Sequence, residues 1–213
     1  WVQNEEQKNW LFITARPDQR ETLKPLISCW LEIAFNAVMS LSPDQQRRLW
    51  FMIDELPALQ HLPSLPLALA ELRKYGGCIM AGIQGMPQIS DLYGHAGSQA
   101  ILDLFNTFIF FRSTDPQTTS WISKVLGEKD ETEIIENLSY GANTIRDGVS
   151  LNQQTNTKPI VIPTEIQNLR DLEAYIKLPG NYPITKLKML YQPQPSSKIE
   201  IFDFSLARGA DHV

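Results

Sequence analysis

Short continuous apolar runs alternate along this chain with segments whose apolar residues recur at helical spacing, and this alternation limits the possible folds most. The runs lie at residues 9–14, 49–53, 78–83 and 107–111, and the helical segments lie at residues 23–39, 64–75, 98–105 and 118–126. Strands that are apolar on both faces are typical of parallel sheets with a helix layer on either side. The sequence therefore predicts an α/β fold with a predominantly parallel sheet and helices on both faces.

The size and charge of the chain exclude several classes of function. Its 213 residues suffice for one core, and its net charge of −5 argues against a surface that binds nucleic acid by bulk positive charge. A narrow basic channel between subunits remains compatible with that charge. Two cysteines and three scattered histidines match neither a disulfide scaffold nor a zinc motif. The longest apolar run is about half of the ~20 residues that a membrane-spanning helix needs.

The second half of the chain has a different pattern. Residues 129–154 are polar and rich in Gly and Asn, which predicts a surface loop. The remaining predicted elements are an edge strand at 159–163, a short helix at 164–167 with Thr164 as its N-cap, two paired strands at 172–178 and 184–191, and a tail from residue 193.

Two adjacent carboxylates, Asp54 and Glu55, directly follow the apolar run at residues 49–53. Open α/β sheets bind ligands at the carboxyl edge of their strands. There a first carboxylate can hold Mg²⁺, usually through water, and a second can polarise the water that attacks a γ-phosphate. This is the Walker B pattern of P-loop ATPases. The alternative is a chance Asp-Glu pair that only caps or solvates the end of the strand.

Gln84 and Arg73 are two further candidate residues. Gln84 follows the next apolar run, and neighbouring strand ends of a parallel sheet are close, so its amide could contact a γ-phosphate or the attacking water. A loop glutamine bonded to backbone is the alternative. Arg73 lies near the end of the intervening helix, where a guanidinium could reach across a subunit boundary and stabilise phosphoryl charge. Its alternative is a basic residue that favours the helix dipole.

Many short stretches of the chain, taken together, resemble one family. They are FMIDELPAL at 51–59, AELRKYGGC at 70–78, GIQ at 82–84, QISDLYG at 88–94, FFRS at 110–113, LGEK at 126–129, YGA at 140–142, VS at 149–150, LRDL at 169–172 and LPGNYP at 178–183. In order and spacing they resemble the TraD-type conjugative coupling proteins of type IV secretion systems. The resemblance covers residues 9–192 and identifies the chain as part of their motor domain.

The resemblance implies a RecA-like, FtsK-related ATPase that acts as a homo-hexamer, pumps DNA through its channel and is anchored in the bacterial inner membrane. It implies ATP and Mg²⁺ as cofactors, and relaxase and the components of the secretion channel as partners. By family analogy Asp54 and Glu55 are the Walker B pair, with Mg²⁺ held by Asp54 through water. Gln84 is then the residue that senses the γ-phosphate, and Arg73 matches an arginine that acts on a neighbouring subunit's ATP.

The chain departs from the family in one respect. It contains no Gly-x-x-x-x-Gly-Lys-Ser/Thr phosphate loop, so we expect ATP binding by these residues alone to be weak or absent. The expected layout is the exit from a missing helical insertion at 1–8, the second half of a RecA-like P-loop NTPase core at 9–192, and a C-terminal tail at 193–213. The alternative function is a non-catalytic docking module for relaxase or other secretion components.

Tryptophans give a prediction about the core. Trp10, Trp30 and Trp50 fall in predicted strands and a predicted helix, and we expect them to be buried. Trp1 and Trp121 are instead expected to pack against parts of a longer protein, which predicts exposed apolar surface on this chain.

Overall fold

The computed structural model describes residues 10–44, 46–139 and 148–193. Short 3-10 turns at Leu56–Ala58 and Leu72–Tyr75 accompany five α-helices in this part of the chain. The helices are α1 (Arg20–Met39), α2 (Leu65–Glu71), α3 (Met86–Asp103), α4 (Pro116–Leu126) and α5 (Pro163–Gln167). None of these helices is long and apolar enough to cross a bilayer.

Seven strands in the described residues form three separate sheets. The strands are β1 (Leu49–Ile53), β2 (Gly77–Ala81), β3 (Phe108–Phe110), β4 (Glu128–Ser139), β5 (Gly148–Pro159), β6 (Glu173–Lys177) and β7 (Thr185–Lys188). β1 and β2 are parallel, β3–β6–β7 form an antiparallel sheet, and β4 and β5 form an antiparallel hairpin. Among the described strands, the parallel arrangement is therefore confined to the β1–β2 pair.

The β1–β2 pair brings the two carboxyl ends of its strands to one edge. Leu49 lies opposite Gly77 and Ile53 opposite Ala81, and α2 with the following 3-10 turn returns the chain to the start of β2. Both strands come from continuous apolar runs, as the sequence predicts for parallel strands. Whatever follows each strand in sequence therefore lies at the same edge.

A first core packs three helices against one face of the β1–β2 pair. Phe35 of α1 meets Phe51 of β1 edge to face, with ring centroids 4.9 Å apart. This geometry is favoured by the quadrupoles of the two rings. The buried members are Phe35, Val38, Phe51, Leu56, Leu62, Leu65, Ala68, Leu72, Met86, Ile89, Ile101 and Leu102. Described helices cover only this face, whereas the sequence pattern predicts helices on both.

A second core lies between α4, α5 and the β3–β6–β7 sheet. Its buried members are Phe110, Ile122, Leu126, Val161, Ile166, Leu169 and Tyr175. Trp121 of α4 lies at the junction, since it packs against both cores and meets the rings of Phe108 and Phe110 edge to face. α4 is thus the element that connects the two cores.

Several predicted elements are confirmed. The strand at 49–53 is found with the same bounds, and the helices at 23–39, 64–75 and 118–126 are found within a few residues. The antiparallel pairing of 172–178 with 184–191 is confirmed as β6 and β7.

The predicted strand at residues 9–14 is wrong for its described part. Residues 10–14 form no regular structure, and Trp10, Leu11 and Phe12 are exposed. A strand needs a neighbour that satisfies its backbone N–H and C=O groups, and no described strand pairs with this segment. An apolar run alone therefore did not suffice to predict a strand here.

The predicted loop at 129–154 is also wrong, because most of it forms the long hairpin of β4 and β5. A polar sequence resembles a loop, yet cross-strand hydrogen bonds pair the backbone N–H and C=O groups of the two strands. Cross-strand contacts secure the base, where Thr157 donates to Asp130 (2.7 Å) and Lys158 pairs with Glu131 (3.2 Å). Residues 140–147 lie outside the described part.

Three smaller differences concern the helix predicted at 98–105, the edge strand predicted at 159–163 and the N-cap predicted at Thr164. α3 begins at Met86 rather than at residue 98, and it has a kink at Gly94. The φ of Gly94 is 73°, a value that glycine adopts readily and other residues rarely do. Residues 160 and 161 form a bend and Ile162 precedes α5, so the predicted edge strand is wrong beyond Pro159, where β5 ends. α5 begins at Pro163 with Ile162 as its N-cap, so the capping role predicted for Thr164 is wrong. The predicted segments 1–8 and 194–213 lie outside the described residues.

Candidate functional site

The two carboxylates lie where β1 ends, and their surroundings differ. Asp54 is exposed, and its carboxylate has no hydrogen bond within the described chain. Glu55 is half-buried, and its Oε1 is buried with no hydrogen-bond partner among the described residues. A buried carboxylate oxygen without a donor carries a desolvation cost. Glu55 is therefore suited to accept a hydrogen bond from a water or a ligand that enters the site.

Gly82 locks the ends of β1 and β2 together. Its N–H donates to the carbonyl of Ile53 (2.8 Å), and its own carbonyl accepts from the N–H of Leu56 (2.9 Å). A Cβ at this position would lie 1.9 Å from the carbonyl oxygen of Asp54. Only glycine permits this approach, so the backbone around both carboxylates is fixed by its contact with β2.

Gln84 lies on the same edge, two residues beyond Gly82. Its side chain is exposed, and its Oε1 accepts a long hydrogen bond (3.4 Å) from Nε2 of Gln88. The amide group is thus held loosely and remains accessible from solvent. The structure brings Gln84, Asp54 and Glu55 to one edge, as expected from parallel strands.

Thr118 of α4 holds the backbone just after Gln84. The N–H of Met86 donates to Thr118 Oγ1 (2.9 Å), and Thr118 Oγ1 donates to Oδ2 of Asp115 (2.5 Å). The N–H of Thr118 also donates to Asp115 (2.7 Å), so Asp115 caps α4. These bonds hold the pKa of Asp115 below its ordinary value. Sequence reasoning missed this contact, although Asp115 followed by Pro116 is the signature of a helix start.

The segment after Glu55 is also tied down. Three of its backbone N–H groups donate to side chains of α1 and α3. The pairs are Gln60 with Ser28 Oγ (3.1 Å), Leu62 with Tyr93 OH (3.2 Å) and Ser64 with Glu32 Oε1 (3.2 Å). Burial raises the pKa of Tyr93, which stays a neutral hydroxyl. The acidic pair thus precedes a loop anchored to the helix layer.

Arg73 lies at the opposite edge of the pair. It sits on the 3-10 turn before β2, and the five residues of β2 separate the two edges by about 16 Å at about 3.3 Å per residue. Its guanidinium is exposed and makes no hydrogen bond or ion pair within the described chain. The turn is held because Asp44 N–H donates to the carbonyl of Lys74 (3.1 Å) and Arg47 donates to that of Tyr75 (3.2 Å).

The chemistry available at the carboxyl edge follows from these placements. One exposed carboxylate, one half-buried carboxylate and one amide can bind a ligand, orient a water and accept its proton. No cluster of three or more metal-ligating side chains occurs among the described residues. A divalent cation at Asp54 would therefore need oxygens from water and from a bound ligand, which is the usual mode for Mg²⁺.

The chain is similar in sequence to a group of secretion proteins. A family model for the type IV secretion-system coupling protein DNA-binding domain matches residues 1–190. The coupling protein TraD of Escherichia coli (strain K12) is 42% identical over 192 residues, which is 90% of this chain and 27% of TraD. VirD4 of Agrobacterium fabrum (strain C58) is 24% identical over 188 residues, which is 85% of this chain and 27% of VirD4.

Structural comparison agrees with the sequence comparison. The plasmid coupling protein TrwB in complex with ADP and Mg²⁺ matches with a TM-score of 0.76 and 34% identity, over 91% of this chain and 42% of TrwB. A trigonal form of TrwB with sulphate matches with a TM-score of 0.76 over 91% of this chain. The match confirms the expected α/β class with a RecA-like P-loop NTPase core. The chain spans about a quarter of the curated relatives and two fifths of the solved structures.

Proposed function

The chain belongs to the type IV secretion-system coupling proteins, and we propose on that basis that it forms part of an ATP-driven motor for DNA transfer. The observation that carries the proposal is the convergence of Asp54, Glu55 and Gln84 at the carboxyl edge of β1 and β2, where a buried oxygen of Glu55 has no donor among the described residues. RecA-like motors hydrolyse nucleotides at this kind of edge.

Each residue of the edge has a proposed role. Asp54 holds Mg²⁺ through water, which fits its exposed carboxylate without a partner in the described chain. Mg²⁺, when bound, neutralises charge on the phosphates. Glu55 orients and polarises the attacking water, which would supply the donor that its Oε1 lacks within the described part of the chain. Gln84 contacts the γ-phosphate or that water, and its loosely held amide is free to turn toward either.

Binding of the nucleotide requires further residues besides Asp54, Glu55 and Gln84. The sequence contains no phosphate-loop motif, and the matched TrwB structure holds ADP and Mg²⁺ on a chain of which this one covers 42%. We place the phosphate loop in an upstream segment of a longer protein. Residues 9–192 then form the second half of the motor domain, residues 1–8 lead out of a helical insertion, and residues 193–213 form a tail.

Arg73 is proposed to act on the nucleotide of a neighbouring subunit. Its position at the edge opposite Asp54 and Glu55 supports action in trans over action in cis. Its exposed guanidinium, on a turn fixed by Asp44 and Arg47, is suited to cross a subunit boundary. This role implies a ring, and we propose a homo-hexamer with DNA in its channel.

The partners follow from the family. We propose that the complete protein takes the relaxase–DNA complex to the secretion channel at the bacterial inner membrane, with its anchor outside residues 1–213. The net charge of −5 indicates that DNA contact depends on local groups of the assembled ring rather than on bulk charge.

Calorimetry of Mg-ATP binding tests whether the nucleotide site needs an upstream segment in addition to this chain. This chain is compared with an extended protein, which we define as this chain joined to an upstream segment that carries the phosphate loop. We expect no measurable binding by the chain alone and micromolar binding by the extended protein. Tight binding by the chain alone would contradict the proposal, because it would require a phosphate site elsewhere in these residues.

Hydrolysis by the extended protein tests the site. Glu55→Gln should lower the rate of ATP hydrolysis by about a hundredfold or more, since it removes the proposed base, while relaxase binding persists. Glu165→Gln, at an exposed position on α5, is the matched control and should be neutral. Loss of relaxase binding with unchanged hydrolysis would favour the docking-module alternative instead.

A further inference from the structure

We propose that Thr118 is a positioning residue for Gln84, because its hydroxyl fixes the backbone on which Gln84 is carried. The inference rests on the proposed function, in which the amide of Gln84 meets the γ-phosphate or the attacking water. Thr118 lies on α4, outside the edge formed by β1 and β2, and within the described chain none of its hydrogen bonds goes to Asp54 or Glu55. Its role is to fix the first residue of α3, and this residue in turn limits the positions that the backbone of Gln84 can take.

Burial and geometry make the contact specific. Thr118 is 7% exposed, and its Oγ1 accepts the N–H of Met86 at 2.9 Å. Met86 is the first residue of α3, and the first N–H groups of a helix have no partner within their own helix. Thr118 therefore satisfies a buried donor that the helix cannot satisfy itself. A Cβ at Gly85 would lie only 3.1 Å from this hydroxyl, so the two segments are in close contact.

Asp115 orients the hydroxyl of Thr118. A threonine hydroxyl has one hydrogen and two lone pairs, and Oδ2 of Asp115 accepts that hydrogen at 2.5 Å. The lone pairs of Oγ1 are then left to accept from Met86. The direction of both bonds is set by the carboxylate, which also caps α4 through the N–H of Thr118. Asp115, Thr118 and Met86 thus form one chain of hydrogen bonds that ends at α3.

Gln84 lies between two fixed points of backbone. Gly82 is bonded to β1 on one side, and Met86 is bonded to α4 on the other. Among the described residues, the side chain of Gln84 makes one hydrogen bond, the long one to Gln88 at 3.4 Å, so the position of its amide depends on the backbone that carries it. Loss of the Thr118 contact releases one of the two fixed points. A displacement of about 1 Å at a reacting group can lower a rate by about a hundredfold.

Hydrogen exchange on this chain tests the contact directly. Thr118→Val keeps the shape of the side chain and removes both bonds of the hydroxyl, and Thr118→Ser keeps them. Thr119→Val is the matched control, because Thr119 is fully buried on the same helix and, in the part of the chain that the structure describes, its hydroxyl donates only to the carbonyls of Asp115 and Pro116. We expect the exchange of the Met86 amide to rise about tenfold in Thr118→Val and to stay unchanged in the other two.

Hydrolysis by the extended protein tests the role. We expect Thr118→Val to lower kcat by about ten- to a hundredfold with KM for ATP unchanged, Thr118→Ser to restore kcat, and Thr119→Val to leave it as it was. Equal losses in both valine variants, or normal kcat in Thr118→Val, would overturn the inference. Thr118→Ala with Thr119→Ala repeats the comparison if a valine variant does not fold. If Glu55→Gln also hydrolyses ATP normally, the proposed function fails; if only Thr118→Val does, the inference alone fails.

Discussion

The two faces of the β1–β2 pair differ in what covers them, although the same two strands form both. Phe51 points toward the helix layer and is 9% exposed, whereas its neighbours Trp50 and Met52 are 54% and 58% exposed. Register places Met80 beside Met52 and Cys78 beside Trp50, so one face of the pair is a continuous apolar surface. Helices α1 to α3 therefore cover the face that carries Phe51, which we call the covered face. The face that carries Trp50 and Met52, which we call the open face, stays exposed in the described chain.

The open face has counterparts elsewhere on the described chain. Leu26, Trp30 and Ile33 form an exposed stripe along α1, and residues 10–13 are exposed as well. Soluble monomers rarely expose contiguous apolar patches larger than a few hundred Å². The surface therefore supports the proposal that these residues are one part of a larger motor domain.

The largest effect is expected at the covered face. Phe51→Ala should lower the free energy of unfolding of the chain by about 3–5 kcal/mol, because it removes a buried ring and the contact with Phe35. Met52→Ala, one position along the same strand, should cost about 1 kcal/mol or less. Urea denaturation measures both. Similar losses for the two variants would show that the open face is covered in solution, and they would contradict the difference between the two faces.

The next effect concerns the edge that both faces share. Gly82→Ala places a methyl group against the carbonyl of Asp54, so the strand ends must separate at a cost of about 1–3 kcal/mol. Gly97→Ala is the control, since a Cβ there meets only Tyr93 at an ordinary 3.4 Å. Urea denaturation should show a loss for the first variant alone. A neutral Gly82→Ala would mean that the backbone of Asp54 is less fixed than the structure shows.

The sequence predicted the site edge well because the signal there is local. A continuous apolar run that stops at Asp54 fixes both the strand and its end, and Gln84 follows from the same logic one strand later. Arg73 was expected near the end of a helix and lies on the 3-10 turn that follows α2, and only the register of β1 with β2 shows that it lies at the opposite edge. The roles of these residues stay predictions.

The errors come from features that depend on distant partners. Trp10, Trp30 and Trp50 were expected in the core, yet all are at least half exposed, because the apolar pattern does not reveal whether a covering layer is present. The β4–β5 hairpin was missed because its sequence is mostly polar and resembles that of a loop. Thr118 gives no periodic signal, since its importance arises from a contact 32 residues away in sequence.

A smaller effect is expected when the open face is made polar. The double variant Met52→Thr with Met80→Thr should change the stability of this chain by no more than about 1 kcal/mol and should lower its binding of a hydrophobic dye. In the extended protein the same variant should be clearly destabilising, because we expect the added segment to cover this face. Leu190→Thr, which is 82% exposed, is the control and should affect neither protein. Equal effects in both proteins would contradict the expected cover.

The smallest effect is expected at Asp115, which caps α4 next to the start of α3. Thr118 lowers the pKa of Asp115 below its ordinary value of 3.8, so the folded state favours the carboxylate. The stabilisation that results is fully present above the unfolded pKa and is lost as the pH falls through the lowered one. Asp115→Asn should therefore be slightly less stable than the parent chain near neutral pH, and the difference should vanish in acid. Urea midpoints over this pH range measure it, with Asp91→Asn at an exposed position as the control. A difference that grows toward low pH would have the wrong sign, and it would remove Asp115 as the residue that orients Thr118.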